Sequence, residues 1–200
     1  MRRRSATTPS RDTFLLAQVR EAFGRIAYSH KTHEKQADIC FTKHRRQQAA
    51  LVTLTAISSG TFLAALVGLL GSAVLTGLVT SSIALLVTWT SLGAKTFKYE
   101  EQSNAHRRVA SQLWDVRESH ISLIADLMSG AISDAEGRQR RDELQLSAQN
   151  CYGDAPRTSQ RAFKRAQTGL RNNEELTFSS HEIDVMLPEA LRLGEGEGRA

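Results

Sequence analysis

The residues with the most chemical potential are three histidines. His30 and His33 stand three positions apart, so on a helix both imidazoles lie on one face, where they could share a metal ion; His120 lies on a similar stripe further along. No cysteine and no second paired histidine stands nearby to complete a ligand set. The competing reading is that these are polar seam positions that fix helix register, and their protonation near neutral pH would then bias an assembly. His33 with Glu34 is a single pair and not an HExxH motif. The chain contains no P-loop, no GxGxxG and no supported Ser-His-Asp set, so the reading is of a protein without catalytic residues, metal or cofactor. Cys40 and Cys151 are too far apart for a metal-type pair or a disulfide framework. They read as reduced thiols, with acylation of Cys40 beside a membrane as the alternative.

The histidines belong to two long apolar stripes. Leu16, Val19, Phe23, Ile26, His30, His33, Ala37 and Cys40 follow one another at spacings of three and four, and so do Val109, Leu113, Val116, His120, Leu123 and Leu127. Helices with such seams, leaving one membrane face, would zip together antiparallel, within a chain or between chains.

What separates the stripes decides the class of protein. The 200 residues are 40% hydrophobic and 24% charged, an ordinary average, yet from Gln47 to Ala94 there is no Asp, Glu, Lys, Arg or His. Even a largely buried helix of a soluble protein usually keeps a polar face, which excludes a simple soluble domain. The run is about twice the ~20 residues that one helix needs to cross a bilayer. It starts too late and runs too long to be a cleaved signal. Crossings are expected over about 49–70 and 74–92, with Gly71, Ser72 and Ala73 turning between them and Trp89 anchoring an interface. Residues 1–46 hold 11 Lys and Arg against 4 Asp and Glu, and Lys43, Arg45 and Arg46 before the run face Lys95 and Lys98 after it. By the positive-inside rule both flanks, and both termini, are cytoplasmic. The isoelectric point near 9.6 is then read as topology and contact with anionic lipid. Direct nucleic-acid binding is not expected, because no aromatics interleave with Arg2, Arg3 and Arg4.

Within the first crossing Gly60, Ala64 and Gly68 form a small-residue face that permits close helix packing. Thr76, Thr80, Thr88 and Ser91 lie near one face of the second. They are candidate pore-facing residues, although hydroxyls bonding back to their own helix are the more economical reading. No ionisable residue lies in either crossing, which argues against a proton relay. Downstream, Ser133-Asp134-Ala135-Glu136 has the capping-box form and opens a charged helix to about Gln149. A break at Gly153, Asp154 and Pro156 precedes a short amphipathic stretch from about Thr158 to Thr168, and Ser180 is a candidate cap for a last turn in which Ile183 and Leu187 dock.

The expected architecture is an all-α membrane protein: a two-helix transmembrane hairpin continued by long cytoplasmic helices that pack antiparallel, plus a small C-terminal helical segment. The expected divisions are a basic disordered N-terminus (1–11), a cytoplasmic helix (12–47), the hairpin (48–94), a helix continuing the second crossing (95–130), a C-terminal helical segment (131–193) and a disordered tail (194–200).

The order of features resembles a known family. The segments Ala27-Tyr28-Ser29-His30-Lys31-Thr32-His33-Glu34-Lys35, the tight hairpin, Arg141-Asp142-Glu143-Leu144-Gln145, Ala155-Pro156-Arg157-Thr158-Ser159 and Glu182-Ile183-Asp184-Val185-Met186-Leu187-Pro188 together look like the SLATT family of two-transmembrane effectors of bacterial conflict systems. The likeness covers about residues 12–192 and is nearest to the subgroup associated with reverse transcriptases. It implies an oligomeric membrane effector, held quiet until an upstream sensor, such as a reverse transcriptase or a nucleotide-producing enzyme, triggers a pore or lesion that stops growth of an infected cell. The alternative is a membrane-anchored helical scaffold that recruits a cytoplasmic partner.

Overall fold

The computed structural model describes residues 13–60, 68–69 and 71–187. Among them every regular element is a helix: α1 (Thr13–Ile57), α2 (Ala73–Thr96), α3 (Tyr99–Ser129), α4 (Asp134–Gly153), α5 (Gln160–Arg171) and α6 (Ser180–Met186). Ala64 and Leu66, the N-terminal arginines and the tail from Pro188 lie outside the described residues.

The 45-residue α1 contains no proline and a single glycine, so nothing interrupts its ladder. It runs through the expected boundary near residue 48, carrying the cytoplasmic helix unbroken into the apolar run. The first crossing is accordingly not one helix over 49–70. The ladder stops at Ile57, where the Ser58 hydroxyl donates to the Thr55 carbonyl at 2.9 Å and a Ser-Ser-Gly sequence of weak helix formers follows.

Ser72, extended at φ −130°, leads into α2, which passes the expected end at Leu92 and reaches Thr96. A second departure follows there. The cytoplasmic helix does not continue the crossing directly, because Phe97 and Lys98 leave helical geometry before α3 begins at Tyr99, and the rings of Phe97 and Tyr99 stack across the break at 5.6 Å. Gly130 ends α3 in the left-handed conformation at φ 73°, which a side chain would strain. Ser133 caps α4 by accepting from the Glu136 amide, but the Glu136 carboxylate turns to Arg140, so the box is half formed. At α6 the cap is Ser179 rather than Ser180. Ser179 accepts from the Glu182 amide, and the Glu182 carboxylate accepts from the Ser179 amide and hydroxyl, a complete box. Ile183 stays 44% exposed instead of docking.

Packing centres on α1 against α3. Ser103 donates to the Ala37 carbonyl, His106 meets His33, Leu113 and Val116 pack in one cluster with Ile26, and Leu123 and Leu127 pack with Leu15 and Val19, so the two helices run antiparallel. Helix α4 covers both clusters, lending Ala148 to the first and Leu144 to the second, and the buried face of α5 lies on α1. At the far end α1 approaches α2, where the Gln47 side chain sits 3.8 Å from the position a Cβ at Gly93 would take. Leu113 is fully buried. Leu113→Ala is expected to lower unfolding stability by about 3 kcal/mol, through lost transfer energy and the cavity left behind, as measured by chemical denaturation in detergent.

Candidate functional site

Two regions bring together the residues singled out in the sequence. The first is the apolar run and its collar. No residue of α2 is buried, and an 18-residue apolar window within Ala73–Ser129 has mean hydropathy 1.7 with none of it covered. Trp89 is 81% exposed. Thr76, Thr80 and Ser91 are half-buried and Thr88 is exposed; the hydroxyls of Thr76, Thr80 and Thr88 each donate to the carbonyl four residues back, at 2.9–3.0 Å. At Gly60 and Gly68 an added Cβ would meet no atom within 4 Å, so these two positions are open among the described residues. The collar lies where α1 meets the α2–α3 junction. The Lys43 ammonium sits over the Tyr99 ring at 5.2 Å, His44 is 3.8 Å from Glu100, and Lys98 pairs with Glu101. Arg45, Arg46 and Lys95 are exposed there, so the two basic flanks share one level of the molecule.

The second region is a polar layer in the α1–α3 seam. Val19, Ile26, His30, His33, Val109, Leu113, Val116, His120, Leu123 and Leu127 are all buried, while Leu16 and Phe23 are half-buried. His33 does not pair with His30. Its Nδ1 lies 3.0 Å from Nδ1 of His106, a partner the stripes did not include. One nitrogen must carry the proton and the other accept it, so the two rings cannot both be protonated at Nδ1 and at most one can be charged. Burial, then the neighbouring His106 and His30, brings His33 down to about 4, and burial lowers His106 as well. His30 is also lowered by burial; its Nδ1 has no partner, and its Nε2 is 3.9 Å from Glu34. His120 donates from Nδ1 to the Val116 carbonyl at 2.7 Å. Among the described residues no group of three or more His, Cys, Asp or Glu could hold a metal ion. Cys40 is only 2% exposed, between Gln36 and Gln102, which removes it as an acylation site.

The layer is tied to the C-terminal segment. Lys31, 8% exposed, contacts Glu34 at 2.7 Å and Glu175 at 2.8 Å, and Lys35 contacts Glu175 at 2.8 Å. Burial alone would lower Lys31, but its bonds to Glu175 and Glu34 outweigh that and raise it; the bonds from Lys31 and Lys35 bring Glu175 down to about 2. A Cβ at Gly169 would stand 2.8 Å from the Glu175 carboxylate and push it aside, and the Glu175 amide donates to the Gly169 carbonyl, so glycine lets the carboxylate sit close over α5. Gln36 accepts from the Ser159 amide and hydroxyl, and Tyr28 accepts from Arg171, fixing α5 along α1. Ser103 and His106 were legible in principle, since stepping back by threes from Val109 reaches both. Nothing local in the sequence pairs Lys31 with Glu175.

These groups divide acid unfolding into two windows. His33 is lowered in the fold, so the unfolded chain binds more protons between about 6.5 and 4, and stability falls as pH drops through that window. The Glu175 contribution is present above about 4.5 and is lost as pH falls towards 2. Thermal melts across this range should show both losses in the wild type, and Glu175→Gln should lower the melting temperature near neutrality while removing only the second loss.

No curated protein and no solved structure shows significant similarity to the chain. Residues 15–182 match the family described as SMODS and SLOG-associating 2TM effector domain family 4, a match that carries no reverse-transcriptase association. It takes in both basic flanks, the apolar run, the seam and the Lys31–Glu175 clamp, so the chain belongs to the SLATT family of two-transmembrane effector domains.

Proposed function

We propose that the chain is a membrane effector of a bacterial anti-phage or conflict system, which oligomerises to form a pore or to disrupt the inner membrane when a partner triggers it. The observation that carries this reading is the uncovered α2: a 24-residue helix of high mean hydropathy with no buried residue. Such a surface is stable only against lipid or further apolar helices. The open face at Gly60 and Gly68 gives copies of the hairpin a place to approach closely, and the shared level of the basic flanks favours both termini on the cytoplasmic side. The trigger comes from an upstream sensor, such as a reverse transcriptase or a nucleotide-producing enzyme. No residue is assigned a catalytic role.

A second reading draws on the threonines. Because Thr76, Thr80 and Thr88 donate their hydroxyl protons within α2, they offer no free donors to line a channel, and a hairpin that only tethers a scaffold of helices is replaceable without loss. Expression in a bacterium with a voltage-sensitive dye separates the two. The effector reading expects depolarisation by the wild type, loss of it in Leu66→Arg, where a central charge costs about 2.5–3.5 kcal/mol on insertion scales, and weakening in Gly68→Leu. A chain that keeps its activity after exchange of the hairpin for an unrelated two-crossing anchor would establish the scaffold instead.

A further inference from the structure

Apart from Lys35 and Glu175, which pair with each other in the clamp, the groove between α1 and α5 is lined by groups that neither the seam nor the crossings use. It is open, about 750 Å³ in volume, and walled by Lys35 and Asp38 of α1, by one face of α5, and by Asn173 and Glu175 of the following loop. Helix α5 contains no acidic residue. Its small residues Ala162, Ala166 and Gly169 are buried, which sets the helix close to α1 and turns Arg161, Lys164 and Arg165 into the groove. None of these three side chains carries an ion pair or a side-chain hydrogen bond among the described residues. At spacings of three and four they repel one another along a single helix face, an arrangement that an anionic partner would relieve.

We propose that this face of α5, with Lys35 at its edge, is the docking surface for an acidic polypeptide segment of a partner protein. The inference rests on the reading above that a partner acts on the chain, and it assigns that partner's contact chemistry. Lipid is disfavoured by position. Ser159 is held at Gln36 and Arg171 at Tyr28, so α5 points away from the apolar run. Its nearer end lies eleven residues, or about 16 Å, along α1 from Gln47. A headgroup layer of roughly 5–8 Å does not reach it. A single-stranded nucleic acid would want aromatic faces for its bases, and no aromatic residue lines the groove. A small phosphorylated ligand would want an enclosing pocket; this groove is open. A peptide suits what is present: spaced carboxylates for the three cations, and the side chains of Gln160, Thr168 and Asn173 for main-chain groups.

The test uses the full chain in nanodiscs of neutral lipid, with fluorescein-labelled oligoglutamate followed by anisotropy at physiological salt, and with oligothymidylate and pyrophosphate as competitors. Oligoglutamate should bind, and the variant Arg161→Gln/Lys164→Gln/Arg165→Gln should weaken it by at least about tenfold. The charge-matched control Arg20→Gln/Arg45→Gln/Arg108→Gln should change it little. Helical content by circular dichroism checks that the exposed substitutions leave the fold intact. Equal loss in the control, no loss in the α5 variant, absence of oligoglutamate binding, or tighter α5-dependent binding of either competitor would overturn the proposal. Gly68→Leu keeps oligoglutamate binding if the surface is real, whatever becomes of membrane activity, so failure here and failure of the effector reading are separable.

Discussion

The antiparallel seam of α1 against α3 is the constraint from which the other features follow. Because the helices run in opposite directions with Ala37 beside Ser103 and Leu15 beside Leu127, the start and the end of the apolar run are brought to the same level. Lys43 reaches Tyr99 and Gln47 reaches Gly93 there. A hairpin is thus imposed on the uncharged residues by helices outside the run. Burial of Leu113, Val19 and their neighbours holds the seam, and α4 and α5 pack on it as a second layer.

The seam is not uniformly apolar. Its middle buries His30, Lys31, His33, Gln36, Ser103, His106 and His120, groups whose desolvation is unfavourable unless each finds a partner. Most do, and the partners are specific: one shared proton between His33 and His106, two carboxylates for Lys31, and the Ser159 amide and hydroxyl for Gln36. Sliding α1 by a turn would strand these groups, so the layer fixes register where Leu and Val alone would tolerate slippage. Through Glu175 and Ser159 it also fixes where the C-terminal segment sits, and that placement in turn forms the groove.

The division between what the sequence discloses and what it hides is physical. Seam residues such as Val19, Ile26, Leu113 and Leu123 were readable because burial on a helix repeats every three to four residues. The absence of charge from Gln47 to Ala94 marked the hairpin region, and the order of segments marked the family. The breaks were not readable. Ser58 ends α1 through its own hydroxyl, and Phe97–Lys98 interrupts the helix between residues that hydropathy alone would join. The partners of the polar layer were hidden for another reason: His106 is 73 residues from His33 and Glu175 is 140 from Lys35, and such pairings exist only once the chain has folded back. The basic face of α5 looked like a solvated surface until its position beside Lys35 and Asp38 gave it a groove.

An uncovered α2 beside a self-contained helical stalk makes sense if the apolar run lies in a bilayer and the stalk lies wholly on one side of it. Cysteine accessibility tests this most directly. In a chain with Cys40 and Cys151 replaced by serine, single cysteines are placed at Ser72, in the turn between the crossings, and at Lys43 and Lys98, in the collar. The account predicts that an impermeant maleimide added to intact spheroplasts labels Ser72→Cys alone, and that Lys43→Cys and Lys98→Cys react only after the membrane is opened. Labelling of all three from the same side, or of Lys43→Cys and Lys98→Cys from opposite sides, would contradict it.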